Sequence, residues 1–233
     1  MGKNTLNFLR RCWAVILIVS LVAAISIPAA VVIKSIPSPT SNPQLAVVLI
    51  KTAQWQGSGV CVSSDGIIMT AAHVLEEAYN IDITFLNGKS YQPTEIFIDK
   101  NYDVAFCKII DEEPFPYLEL GDSRKLAVGD KIECIGAPYG LEWWHSYGCL
   151  SRKTYNGEIS CDIAGNPGNS GGPLLHDNRI VGILTAGYLQ ADGLIFGVES
   201  NYLKLSLQIY KFFDFSEPQS INYIKLDQIW KHI

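Results

Sequence analysis

No group of cysteines and histidines in this sequence has zinc-ligand spacing, and no glycine-rich loop precedes a Lys-Ser or Lys-Thr pair. Neither a metal nor a nucleotide cofactor is therefore indicated. Basic charge is scarce too: 18 Lys and Arg stand against 23 Asp and Glu, a formal net charge of −5. That balance lacks the electrostatic footprint of a nucleic-acid binder. The six cysteines follow no framework spacing. Cys12 sits in an apolar run, which leaves an odd five elsewhere, so all five cannot pair with one another. Cys61, Cys107 and Cys134 lie in strand-like apolar runs and read as small buried hydrophobes. Cys149 and Cys161 flank a predicted hairpin, where a disulfide is one open possibility. There is no internal repeat.

What is present begins with Lys3, Arg10 and Arg11 ahead of the apolar run Cys12–Ile33. A helix needs about 20 apolar residues to cross the hydrocarbon core, and the basic flank favours the cytoplasmic side. The expectation is a cytoplasmic stretch over 1–11 and a membrane anchor over 12–33. A cleaved signal peptide, with Ala29 and Ala30 near its end, is the rival. Either way the remainder is exported. Residues 34–43 are rich in proline and serine and read as an extended linker. From 44 to 213 the chain reads as one domain, followed by a tail over 214–233. Short β-branched runs alternate there with turn pairs such as Asp65-Gly66, Asn87-Gly88, Asn156-Gly157 and Asp192-Gly193. This pattern predicts an all-β barrel or sandwich. A single helix is predicted over 201–213, with an apolar stripe of Tyr202, Leu205, Ile209, Phe212 and Phe213.

Three segments carry chemistry. In Asn166-Pro-Gly-Asn-Ser-Gly-Gly-Pro-Leu174, Ser170 is a candidate nucleophile set among glycines. A serine hydroxyl needs a base to take its proton and N–H donors for the oxyanion that its attack creates. Gly168 and Ser170 are the expected donors. The base candidate is His73, where an apolar strand runs into Ala71-Ala72. His145, His176 and His232 lack that lead-in and receive no role. Asp103, at the head of an apolar strand, is the candidate carboxylate that orients the imidazole. Asp82 and Asp99 are rivals that read as solvent-facing.

Thr70-Ala-Ala-His73, Asp103-Val-Ala and Gly168-Asn-Ser-Gly-Gly-Pro-Leu174 resemble the three signature segments of trypsin-like serine proteases. Leu120-Gly-Asp-Ser123, Val128-Gly-Asp130 and Ile135-Gly-Ala-Pro-Tyr-Gly-Leu141 are similar to the inter-barrel segment of the HtrA (DegP-like) branch. The resemblance spans roughly 44–198. It implies two six-stranded antiparallel barrels with the triad between them, and polypeptides as substrates. It also brings a homotrimer as an expectation. By the same resemblance Ala164 stands at the floor of the primary specificity pocket, with Thr185, Ala186 and Gly187 along its wall and Leu194 narrowing it. No acidic residue occupies that floor, so small or medium apolar P1 side chains are expected.

Two departures bear on regulation. Asn169 replaces the aspartate that pairs with a freshly cut N-terminus in digestive relatives, so activation by that route is not expected. The chain also ends before the PDZ domains typical of HtrA proteins, so peptide sensing through them is not expected either. A catalytically silent protease-fold scaffold is the alternative reading. An esterase of the α/β-hydrolase type fits neither the motif nor the order of residues.

Overall fold

A computed structural model describes residues 37–141, 143–187 and 193–212, together with the backbone of 222–225. The proposed anchor over 12–33 lies outside the described residues, as do Phe213, His232 and most of the tail. Among the described residues, no helix is long and apolar enough to cross a membrane.

Seven strands come from the first half of the chain: β1 (Val47–Lys51), β2 (Gln56–Cys61), β3 (Ile67–Ala71), β4 (Asp82–Phe85), β5 (Ser90–Tyr91), β6 (Glu95–Asp99) and β7 (Val104–Lys108). A one-turn helix, α1 (Ala72–Leu75), interrupts them after β3. The second half supplies β8 (Lys131–Gly136), β9 (Trp144–Lys153), β10 (Glu158–Cys161), β11 (Pro173–His176), β12 (Arg179–Gly187) and β13 (Ile195–Glu199). The helix α2 (Ser200–Phe212) and a last strand, β14 (Asn222–Lys225), follow.

The second half closes into a six-stranded barrel in the order β10-β13-β12-β11-β8-β9. The first does not close, which corrects the expectation of two six-stranded barrels. Its strands form an open sheet, β14-β6-β7-β3-β2-β1-β4-β5. The reason lies at the two edges. β5 has only two residues, both spent pairing with β4, and the outer edge of β6 is taken in parallel by β14. A covered edge offers no free ladder for closure.

The core of the half-barrel holds an aromatic cluster among its aliphatic side chains. Phe97 and Phe106 face each other across the β6–β7 pair, and Tyr210 of α2 stacks on Phe106 at 5.5 Å. Phe106→Ala is expected to destabilise the fold by about 3–5 kcal/mol, the cost of an aromatic cavity in a packed core. Urea denaturation measures it, and a change below about 1 kcal/mol would mean that this core is loosely packed.

The helix docks by a face rotated from the predicted stripe, of which Tyr202 and Ile209 are half-buried. Leu203, Ser206 and Tyr210 are buried, whereas Leu205 and Phe212 are exposed. Polar bonds set this rotation: Ser206 Oγ donates to Asp99 Oδ2 at 2.8 Å, and the Tyr210 hydroxyl donates to Glu95 Oε2 at 3.0 Å. Asp99 is thus buried, not solvent-facing, and its other oxygen accepts from the Asn101 amide.

Cys61, Cys107, Cys134, Cys149 and Cys161 are free thiols. Burial pushes the Cys61, Cys134 and Cys161 thiols up to about 12 and raises Cys107 as well. A thiol below its pKa stays protonated and unreactive, and of these five only Cys149 is partly exposed. With Cys12 replaced by serine, alkylation of the folded chain at about pH 8 is expected to label Cys149 alone. Peptide mapping that finds modified Cys61 or Cys134 before unfolding would contradict this burial.

Candidate active site

The two halves of the candidate base–acid pair are set by one ladder. β3 and β7 are antiparallel with Ala71 opposite Val104, so the residues just beyond, Ala72 and Asp103, also meet. The Ala72 amide donates to the Asp103 carbonyl at 3.1 Å. α1 then turns the chain so that Ala72, Val74 and Leu75 stay buried while the His73 side chain is 47% exposed. Small residues at 71 and 72 permit that tight packing.

Asp103 takes a left-handed backbone, φ 51°, which aspartate tolerates better than most residues. Its carboxylate accepts from the His73 amide at 3.0 Å and lies 2.9 Å from His73 Nδ1. An ionised carboxylate only accepts. Nδ1 of the neutral ring therefore bears the hydrogen, and Nε2 keeps its lone pair.

Ser170 arrives from the closed barrel. Its carbonyl accepts from the Ser58 amide on β2 at 2.8 Å. A Cβ on neighbouring Gly57 would lie 2.8 Å from both Val74 methyls and 3.2 Å from the Ser170 carbonyl oxygen. The Ser170 loop thus packs beside the one-turn helix that carries His73. Gly168 has φ 103°, and a Cβ there would overlap the Ala137 carbonyl, so both conformation and space require glycine.

The loop's backbone bonds can be counted. The carbonyls of Pro167 and Asn169 accept from the Tyr139 and Gly172 amides. The Asn169 amide donates to the Asn166 carbonyl, and the Gly171 amide to that of Leu184. Among the described residues the Gly168 and Ser170 amides have no acceptor. Two unpaired N–H groups flanking a serine can stabilise a developing oxyanion.

Asn169 is buried, and its side-chain amide donates to the Ala164 carbonyl at 3.4 Å, tying the segment that carries Ala164 to the loop. Across from it, a Cβ on Gly187 would lie 3.1 Å from the Gly165 carbonyl oxygen, and Ala186 is exposed alongside. Thr185 is half-buried, with its hydroxyl 3.5 Å from the Phe196 carbonyl oxygen. Residues 188–192, next to Leu194, lie outside the described residues. A cleft of 440 Å³ lined by Trp55, Gln56, Tyr139, Gly140 and Pro167 borders Gly168. Of the aromatic run 143–147, Trp143 packs against the half-barrel and donates to the Val47 carbonyl, while Trp144 and Tyr147 are exposed.

Sequence reasoning missed Ser58. It is fully buried, and its hydroxyl donates to the Gly168 carbonyl at 2.7 Å and accepts from the Ala137 amide at 3.0 Å. The signal available was the triplet Gly57-Ser58-Gly59, where two small residues allow other backbone to approach a strand. His145 and His176, given no role above, have structural partners: His145 Nδ1 is 2.5 Å from Glu133 Oε1, and His176 Nδ1 is 2.9 Å from the Lys131 carbonyl oxygen.

A closed barrel, a half-barrel and a serine loop held between them define a trypsin-like peptidase domain. The family model of that description matches residues 57–183, and the chain belongs to this family. The relatives it matches are of the HtrA type. It is 41% identical over 140 residues to a protein of Chlamydia pneumoniae named "Probable periplasmic serine endoprotease DegP-like", covering 56% of this chain and 28% of that one. A protein of the same name from Halomonas elongata is 38% identical over 161 residues, 66% of this chain and 32% of its own. Among solved structures, the HtrA-type protease AlgW with a tripeptide superposes with a TM-score of 0.65 at 29% identity, covering 73% of this chain and 60% of that one. The serine endoprotease from Yersinia pestis gives a TM-score of 0.65 at 27% identity, with 74% and 67% covered. The chain spans about a third of the length of these curated relatives.

Proposed function

We propose that this chain is a serine endopeptidase acting on polypeptides outside the cytoplasm. His73 Nε2 removes the Ser170 proton as Oγ attacks the scissile carbonyl, and Asp103 holds the ring and stabilises the imidazolium. The Gly168 and Ser170 amides receive the oxyanion. His73 then returns the proton to the leaving amine, which departs and leaves an acyl-enzyme on Ser170. Water, activated by the same imidazole, hydrolyses that ester. No metal or organic cofactor enters these steps.

The observation that carries this reading is the serine loop, whose amides at 168 and 170 are unpaired while its neighbouring carbonyls are all taken. The periplasmic names of the relatives and the apolar run 12–33 support an extracytoplasmic place at the membrane. Ala164 supports small or medium apolar P1 residues, with Thr185, Ala186 and Gly187 along the pocket. The family resemblance carries a homotrimer as an expectation.

The test is labelling of the folded chain by a fluorophosphonate, with the modified residue mapped, alongside digestion of an unfolded protein. Adduct on Ser170 and cuts after small or medium apolar residues are expected. A folded chain that neither takes the label nor cuts would favour the silent scaffold.

A further inference from the structure

Of the four carbonyls from Pro167 to Ser170, three are held by backbone amides and one, that of Gly168, by a side chain. That side chain is Ser58. The amide of the same residue donates to the Ser170 carbonyl, and its own carbonyl accepts from Thr70 Oγ1 at 2.6 Å. Thr70 lies on β3, three residues before His73. The hydroxyl also accepts from Ala137, in the segment leaving β8 of the closed barrel. One buried residue thus bonds to both sides of the nucleophile, to the strand that leads into the base, and to the second barrel.

We propose that Ser58 is a positioning residue for catalysis, a latch that holds the Gly168–Asn169 peptide so that the amides at 168 and 170 face the reacting carbonyl. This inference rests on the serine-protease reading. Without the hydroxyl, the Gly168 carbonyl and the Ala137 amide lose their shared partner, which is fully buried. An unpaired buried polar group is costly, so the chain is driven toward a conformation that satisfies it. Gly168 offers little torsional resistance to such a rotation. That peptide joins the Pro167–Gly168 and Asn169–Ser170 units, which bear the two N–H groups, so a turn about Gly168 displaces those units and their donors from the oxyanion position. Substrate contacts elsewhere are untouched, so the loss falls on the transition state and spares ground-state binding.

Ser58→Ala tests this. Its kcat is expected to fall on the order of 10²-fold, the usual cost of a lost oxyanion donor. KM should stay within about two-fold. Affinity for a peptide boronate, whose anionic adduct fills the same position, should fall in parallel with kcat. A purely structural serine would lower the melting temperature and leave kcat of the folded variant within about two-fold of wild type, which would overturn the latch. A crystal structure of Ser58→Ala gives a readout independent of activity: Gly168 still near φ 103° with its carbonyl unmoved would also overturn it. If the variant does not fold, the wild-type boronate complex decides. Ser58 Oγ should remain bonded to the Gly168 carbonyl while both amides lie about 2.7–3.1 Å from the anionic oxygen. A broken Ser58 contact in that complex sinks the proposal. Failure of the serine-protease reading looks different: wild type itself then takes neither fluorophosphonate nor boronate.

Discussion

Ser170→Ala is expected to lower kcat about 10⁶-fold and to abolish fluorophosphonate labelling. The large effect follows from the chemistry being routed through one oxygen. Without Oγ there is no acyl-enzyme, and His73 has no proton to remove. What survives is the rate that the oxyanion donors and substrate binding confer on water, about 10³–10⁴-fold over the uncatalysed reaction. Stability should barely change. Ser170 is only half-buried, and its structural bond, the carbonyl accepting from Ser58, belongs to the backbone. A shift within about 0.5 kcal/mol is expected for such a site. The check is the initial rate on an unfolded protein together with thermal unfolding of both forms. A variant that retains a tenth of the wild-type rate would remove Ser170 from the mechanism.

Asp103→Asn should cost on the order of 10⁴ in kcat with the fold intact. Asparagine tolerates the left-handed backbone found at 103, and its Oδ1 can still accept from the His73 amide. The change lies at the imidazole. Where the carboxylate only accepts, the amide nitrogen donates, so Nδ1 becomes the acceptor and the hydrogen moves to Nε2. The ring then presents an N–H to Ser170 where a base is needed. Steady-state kinetics beside a denaturation curve separate this from unfolding. A loss under about ten-fold would mean that another group orients His73.

The legible features have local signals. Aspartate–glycine and asparagine–glycine pairs mark hairpins, β-branched runs mark strands, and a serine among glycines marks a loop with exposed amides. Contacts between distant parts of the chain left no such mark. Ser58 and Gly168 stand 110 residues apart, and Ser206 and Asp99 stand 107 apart. Asp99 reads as a turn residue because its neighbours are Lys100 and Asn101; only the docking of α2 reveals it as buried. The face of α2 was misread for the same reason. An apolar stripe predicts the buried side only when the partner surface is apolar throughout, and here that surface carries Asp99 and Glu95. The run 143–147 is one cluster in sequence, yet the fold separates Trp143, which is packed, from Trp144 and Tyr147, which are not.

By itself, then, the sequence determined the all-β class and the order of the three chemical segments, and it offered His73 and Asp103 as partners from their local settings and a family resemblance. The β3–β7 ladder is what brings the two side chains within 2.9 Å. The tertiary structure alone decided that the first sheet stays open under β14, that α2 turns serine and tyrosine inward, and that Ser58 joins the serine loop to β2. Each depends on where two remote backbones come within hydrogen-bond reach, a distance that no local pattern of residues encodes.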